Sequence, residues 1–108
     1  MLGFTFKENC PDLRNTRVID LVREFNEFGV QVDIHDPWAD SGEIQSEYGI
    51  ETLPELPQQA DYDAVVIAVG HDAFRSLGAQ GMRALIQHKG VLYDIKGLFS
   101  AEQVDGRL

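Results

Sequence analysis

Residues Ala64-Val65-Val66-Ile67-Ala68-Val69 form an apolar run with no polar alternation, and this run restricts the fold more than any other feature of the chain. A strand with one solvated face alternates apolar and polar residues. A strand that is apolar throughout must be covered on both faces, as central strands of parallel sheets are. The run is also far shorter than the roughly 20 residues a membrane-spanning helix needs. A central parallel strand requires crossover helices on either side of it, so the rest of the chain should alternate between strands and helices.

It does. Leu2 to Phe6 is short, apolar and aromatic-rich and stops at Lys7-Glu8-Asn9, which reads as a buried strand opening into a polar loop. Pro11, Asp12 and Asn15 supply helix-start chemistry, with Arg14 in the first turn. Val18, Leu21, Val22, Phe25 and Phe28 then recur on one face up to Gly29, an αL cap. Val30, Val32 and Ile34 alternate with polar residues in a second strand, which His35-Asp36-Pro37 ends. A helix over Ser41–Tyr48 capped by Gly49, a short third strand at Ile50–Leu53 and a loop from Pro54 to Pro57 come next. After the apolar strand and the Gly70-His71-Asp72 turn, Ala73–Leu77 and Gly81–His88 read as two short helices, the second burying Met82, Leu85 and Ile86. Val91–Ile95 is the last strand. The expected fold is therefore α/β, a three-layer, doubly wound, Rossmann-like sandwich of about five parallel strands, forming one domain over residues 1–108. With the first and fourth strands adjacent, the sheet's switch point lies between the loops after Phe6 and Val69, and Lys7, His71, Asp72 and Lys96 surround one crevice.

Composition narrows the partners. With 18 acidic against 9 basic residues the formal charge is −9, a field that repels a nucleic-acid backbone. At 44% hydrophobic residues the chain is too apolar to be disordered. No membrane or export segment is read, and the single cysteine, Cys10, suits a reducing compartment, so the expected location is cytoplasmic. In so acidic a chain an anionic ligand must be held where Lys and Arg overcome the field locally.

A fold of this kind binds a dinucleotide through glycines after its first strand, whose backbone N–H groups approach the pyrophosphate. Here the next glycine after Gly3 is Gly29, and the loop instead carries Lys7-Glu8-Asn9-Cys10-Pro11-Asp12-Leu13-Arg14. Any phosphate would be met by side-chain cations: Lys7 by reach, Arg14 by a bidentate grip, Lys96 from the end of the last strand. The alternative, that Lys7 and Arg14 simply pair with Glu8 and Asp12, stays open at this point. No catalytic set is read, because Cys10 has no histidine near it in sequence and His35, His71 and His88 lack metal-ligand spacing. His71 beside Asp72 fits a proton shuttle, although a helix cap is the plainer role for Asp72. Trp38 either packs under the Asp36-Pro37 turn or stacks on a base.

The stretch Leu2-Gly3-Phe4-Thr5-Phe6-Lys7-Glu8-Asn9-Cys10-Pro11-Asp12-Leu13-Arg14-Asn15 resembles the opening of the C-terminal domain of the UDP-glucose/GDP-mannose dehydrogenase family. The likeness continues through Val32 to Pro37, Ala64 to Asp72 and Tyr93 to Gly97, nearly the whole chain. It implies a nucleotide-sugar-binding domain of an enzyme that oxidises the C6 alcohol of a UDP-sugar with NAD and a cysteine nucleophile. The resemblance implies that Lys7 and Lys96 contact the UDP-sugar and that Arg14 lies toward the NAD phosphates. Glucose-type members are similar but have Asp-Gly-Arg where this chain has Asp94-Ile95-Lys96, so that Lys96 puts a point charge in place of their forked guanidinium contact. The Glu-Asn-Cys-Pro loop resembles the branch acting on UDP-N-acetyl-hexosamines for surface polysaccharides. The NAD-binding domain, the central domain and the catalytic cysteine belong to chain outside this sequence, and Cys10 is not that cysteine. The expected partners are therefore a UDP-sugar and the rest of the polypeptide, in a homo-oligomeric enzyme, with no nucleic acid, membrane or metal, and the isolated chain is expected to be inactive. Two other readings compete. A phospho-acceptor receiver domain would need acidic residues where Lys7 and Leu53-Pro54 stand, and a standalone interaction domain would show no ligand at all.

Overall fold

The structure is a computed structural model that describes residues 1–58 and 61–108. Its elements are α1 (Val18–Glu27), α2 (Ser41–Tyr48), β1 (Tyr62–Ile67), α3 (Asp72–Arg83), β2 (Ile86–Asp94) and β3 (Gly106–Arg107). Ala64 to Ile67 of the apolar run form the second part of β1, while Ala68 and Val69 lie past its end. The strand lies in a parallel sheet of order β1-β2-β3, with Val65 opposite Leu92 and Ile67 opposite Asp94. The chain is thus α/β with a parallel sheet, as read.

Strand count is where the reading changes. Three strands form the ladder, against the five expected. Leu2 makes only isolated parallel bridges, to Ile67 on one side and His35 on the other. The reason is Gly3: its φ of +97° takes the backbone out of the extended region straight after Leu2, so Leu2–Phe6 cannot pair as a strand. A Cβ at Gly3 would stand 2.6 Å from Val69 Cβ, so the close approach itself demands glycine. Among the described residues the Val30–Ile34 stretch forms no strand; its contacts on that side are the Leu2–His35 bridge and the Met1 amine bonded to Asp33 C=O at 2.9 Å. Ile50–Leu53 contributes one backbone bond, Leu53 N–H to Ile34 C=O at 2.7 Å, and no strand. Conversely β3, which the sequence did not signal, closes the sheet, its Gly106 lying flat against the Tyr93 ring.

Helix boundaries shift for local reasons. α1 starts at Val18, so Arg14 lies in the preceding turn and not in the first turn. Asn15 is left-handed, at φ +63°, and the Thr16 hydroxyl accepts the Val18 N–H at 3.2 Å. α2 and its Gly49 cap fall where expected, with Asp40 accepting the Gly42 and Glu43 N–H groups. The two short helices expected after His71 are present within α3, on either side of Gly78, whose φ of +75° and ψ of 165° are not helical, and the second ends at Arg83. Its expected continuation to His88 is not formed. Asp61 and Tyr62 N–H groups both bond Leu85 C=O at 3.1 Å, and Ile86 pairs with Tyr62, which draws the chain into β2. Met82, Leu85 and Ile86 are buried together all the same, so the apolar spacing was satisfied by a helix end plus a strand start.

Two apolar clusters hold the structure. One joins Leu2, Val65, Ile67 and Leu92 to Phe74 and Met82 of α3. The other joins Phe4, Ile34, Ala68 and Val69 to Val18, Ile19 and Val22 of α1 and Ile44 of α2.

Candidate functional site

The carboxyl end of the Leu2 segment, the end of β1 and the end of β2 meet at a cleft of about 510 Å³. Thr5, Phe6, Ala68, Val69 and Ile95 floor it, Lys96 borders it, and Asn15, Arg17, Asp20 and Glu24 approach from the start of α1. Phe6 and Leu21, also in the lining, are 51% and 37% exposed, so apolar surface faces solvent here. Arg17 and Lys96 offset Asp20 and Glu24, making the cleft formally neutral on a chain of charge −9. The positive end of the α1 dipole opens at the same place. A second depression, of about 730 Å³, is bordered by Asp33, Asp61 and Asp63 and by no Lys or Arg. An anion would be drawn to the first and repelled by the second.

Lys96 is placed by a buried carboxylate. Asp94, with 0% exposure, accepts the N–H groups of Lys96 at 3.2 Å and Phe99 at 2.9 Å. Gly97 turns at φ +68°. The lysine side chain is left exposed at the rim.

Lys7 and Arg14 are both exposed and lie outside the cleft lining. Lys7 follows Phe6, so its backbone is at the rim. Arg14 folds back on Asp12 in a two-pronged ion pair, Nε to Oδ1 at 3.0 Å and Nη2 to Oδ2 at 3.1 Å. These bonds hold the Asp12 carboxyl below its ordinary pKa. The pairing left open from sequence is therefore present for Arg14. With 83% of its side chain exposed, the pair is weakly held and Arg14 can exchange partners.

The expected crevice of Lys7, His71, Asp72 and Lys96 is corrected. His71 is fully buried, Asp72 is exposed, and neither lines the cleft. His71 is no proton shuttle with Asp72. It sits beneath the loop, Nε2 at 2.9 Å from Asp36 Oδ2. That oxygen also accepts the N–H groups of Phe4 at 2.7 Å and Thr5 at 3.0 Å, and Asp36 Oδ1 accepts the Trp38 N–H at 2.7 Å. Burial alone would push the Asp36 carboxyl up, but the bonds from His71 and from these three amides outweigh it and hold its pKa at about 2. Asp72 caps nothing; Asn9 Oδ1 from the far loop accepts the Asp72 N–H at 3.0 Å. Trp38 is 43% exposed, with its ring stacked 6.3 Å from His71.

Sequence reasoning missed Asp36, Asn9 and Arg17. Asp36 and Asn9 act on residues more than 30 positions away, and Arg17 was hidden by placing the helix start too early. Cys10 is a half-buried free thiol. Among the described residues no group of three or more His, Cys, Asp or Glu is placed to hold a metal ion. No described helix is long and apolar enough to cross a membrane.

A family model described as the UDP-glucose/GDP-mannose dehydrogenase family, UDP binding domain, matches residues 1–101. Over all 108 residues the chain is 50% identical to a UDP-N-acetyl-D-glucosamine 6-dehydrogenase of Salmonella typhi and 46% identical to one of Pseudomonas aeruginosa. Over 97% of its length it is 34% identical to Protein CapL of Staphylococcus aureus. It spans about a quarter of the length of each, 25%, 25% and 24% respectively.

Proposed function

The chain belongs to the UDP-glucose/GDP-mannose dehydrogenase family as its UDP binding domain, and from that premise we propose that it forms the nucleotide-sugar-binding domain of an NAD-dependent UDP-sugar 6-dehydrogenase. The whole enzyme would convert the C6 alcohol of a UDP-N-acetyl-hexosamine, with one water, into a carboxylate. Two hydrides would leave to two NAD⁺, and the uronate would serve surface-polysaccharide synthesis. The relatives named for UDP-N-acetyl-D-glucosamine favour that substrate over UDP-glucose.

The observation that carries this reading is the cleft at the sheet's carboxyl edge. It is the locally neutral depression of an acidic chain, with Lys96 on its rim and Lys7 beside it. We assign Lys7 and Lys96 to the diphosphate, each as a point charge, and a doubly wound arrangement in which the bridged Leu2 and His35 segments complete the sheet. The residues do not suit a whole NAD, since the loop that would cradle its pyrophosphate has no glycine between Gly3 and Gly29. We assign NAD to chain outside residues 1–108, with Arg14 reaching toward it once it leaves Asp12. The same partition assigns the cysteine nucleophile elsewhere.

Thermal denaturation with UDP, GDP and NAD⁺ side by side tests this. A UDP site filled at about ten times its Kd raises the Tm by roughly 5–10 °C for a domain of this size. Lys7→Ala should abolish the rise and Lys96→Ala reduce it, while NAD⁺ gives none. The absence of any shift with millimolar UDP, or an equal shift with NAD⁺, refutes the assignment. Reduction of NAD⁺ by the isolated chain would refute the partition of the enzyme.

A further inference from the structure

One buried imidazole holds both ends of the turn that carries Lys7. His71 Nδ1 accepts the backbone N–H of Asn9 at 2.9 Å. The ring proton is therefore on Nε2, which donates to Asp36 Oδ2 at 2.9 Å, with Thr5 Oγ1 3.2 Å away as a second acceptor. The Thr5 hydroxyl donates in turn to the Lys7 carbonyl at 3.1 Å. Lys7 and Glu8 are thus strung between Thr5 and Asn9, both tied to the same ring. Asn9 is held left-handed at φ +54°, a conformation Asn tolerates better than most residues. In it, the amide meets His71 while the side-chain oxygen accepts the first N–H of α3, a helix whose N-cap residue, His71, gives it no side-chain capping bond. Apart from the Thr5–Lys7 bond within the turn, each tie has a partner more than 30 residues away.

Building on the UDP-binding reading above, we propose that Thr5, Asn9, Asp36 and His71 are positioning residues: a clamp that orders the Thr5–Asn9 turn before ligand arrives and so presents Lys7 to the diphosphate. A loop that is ordered only on binding subtracts its ordering entropy from the affinity, whereas a loop fixed beforehand does not. His71 does this without touching ligand, being fully buried. Asp36 fixes the ring in the tautomer that leaves Nδ1 free to accept.

The test is calorimetric titration of UDP into the chain together with amide hydrogen exchange. Asn9→Ala removes the cap on α3 and the tolerance for positive φ, and lowers UDP affinity about tenfold. Asn9→Asp keeps an acceptor and the backbone preference, and stays within about threefold of wild type. Thr5→Val, which deletes the tie to the Lys7 carbonyl together with the contact to His71 Nε2, costs about fivefold. In a double-mutant cycle Lys7→Ala loses most of its effect on the Asn9→Ala background, because a disordered loop no longer presents the lysine. Exchange at residues 7 to 10 quickens in Asn9→Ala and is restored in Asn9→Asp, with β1 and α1 unchanged. A purely structural network would give losses that multiply independently, which overturns the proposal. So does unaltered exchange in Asn9→Ala while wild type binds UDP. Failure of wild type to bind UDP overturns the presentation of Lys7 along with the function it rests on; unaltered exchange overturns the clamp alone.

Discussion

Replacing Asp36 by Ala should unfold much of what places the loop, and the size of the effect follows from its four donors. The carboxylate accepts the N–H groups of Phe4, Thr5 and Trp38 and the Nε2–H of His71, at 2.7 to 3.0 Å. Phe4, Thr5 and His71 are 0%, 1% and 0% exposed, so water cannot replace the lost oxygen at three of the four. Each buried donor left unpaired costs about 1–3 kcal/mol. Trp38, 43% exposed, can turn its N–H to solvent at little cost. Against this loss, removing a buried carboxylate returns its desolvation penalty, the effect that by itself pushes Asp36 up. The net destabilisation expected is about 3 kcal/mol, a large share of the 5–15 kcal/mol typical of a domain. Urea unfolding at neutral pH, followed by far-UV circular dichroism and by the single tryptophan, should show the midpoint falling by about 1–3 M with an unchanged slope. Asp36→Asn keeps one acceptor oxygen and should lose about half as much. An Asp36→Ala chain within about 1 kcal/mol of wild type, or one less damaged than Asp36→Asn, would show that these amides find other partners and that the carboxylate does not organise the loop.

The same group sets an acid limit. Its pKa is depressed in the folded state, so the stability it contributes is complete above the ordinary carboxylate value and drains away as pH falls toward about 2. That window holds about 2 kcal/mol for a fully covered carboxyl, and in Asp36→Asn this part of the acid dependence should vanish from a urea-midpoint series. Gly3→Ala should cost about 2–4 kcal/mol, because φ is +97° and the new Cβ would meet Val69 Cβ at 2.6 Å and its N at 2.8 Å. Gly29→Ala, with φ +80° but open space around it, should cost only about 1 kcal/mol. Thermal melts that place the two variants together would refute the steric part of that account.

What the sequence showed, and what it hid, divides by range. Residues whose structural reason lies within a few positions were legible. The first four residues of the apolar run fell in β1, and Gly29 and Gly49 took left-handed φ where their helices end. Lys96 reached a cleft because parallel strands share a carboxyl edge, and Ile67 opposite Asp94 puts the lysine just past it. Errors arose where a local pattern had two solutions. Met82, Leu85 and Ile86 fit a helix face, yet pairing with Tyr62 claimed Ile86 for the sheet. Gly3 inside an apolar segment was itself a warning of close backbone approach, outweighed by its aromatic neighbours. The clamp lay beyond sequence altogether. Asp36 had a sufficient local role ahead of Pro37, and His71 one at a helix start, so nothing near either residue asked for a partner 35 positions away. Their burial changes the meaning of both: a charged loop that looks free to move is anchored from below by a pair that the ligand would never touch. The loop's own sequence can supply the cation, and only the fold can decide whether that cation is held still.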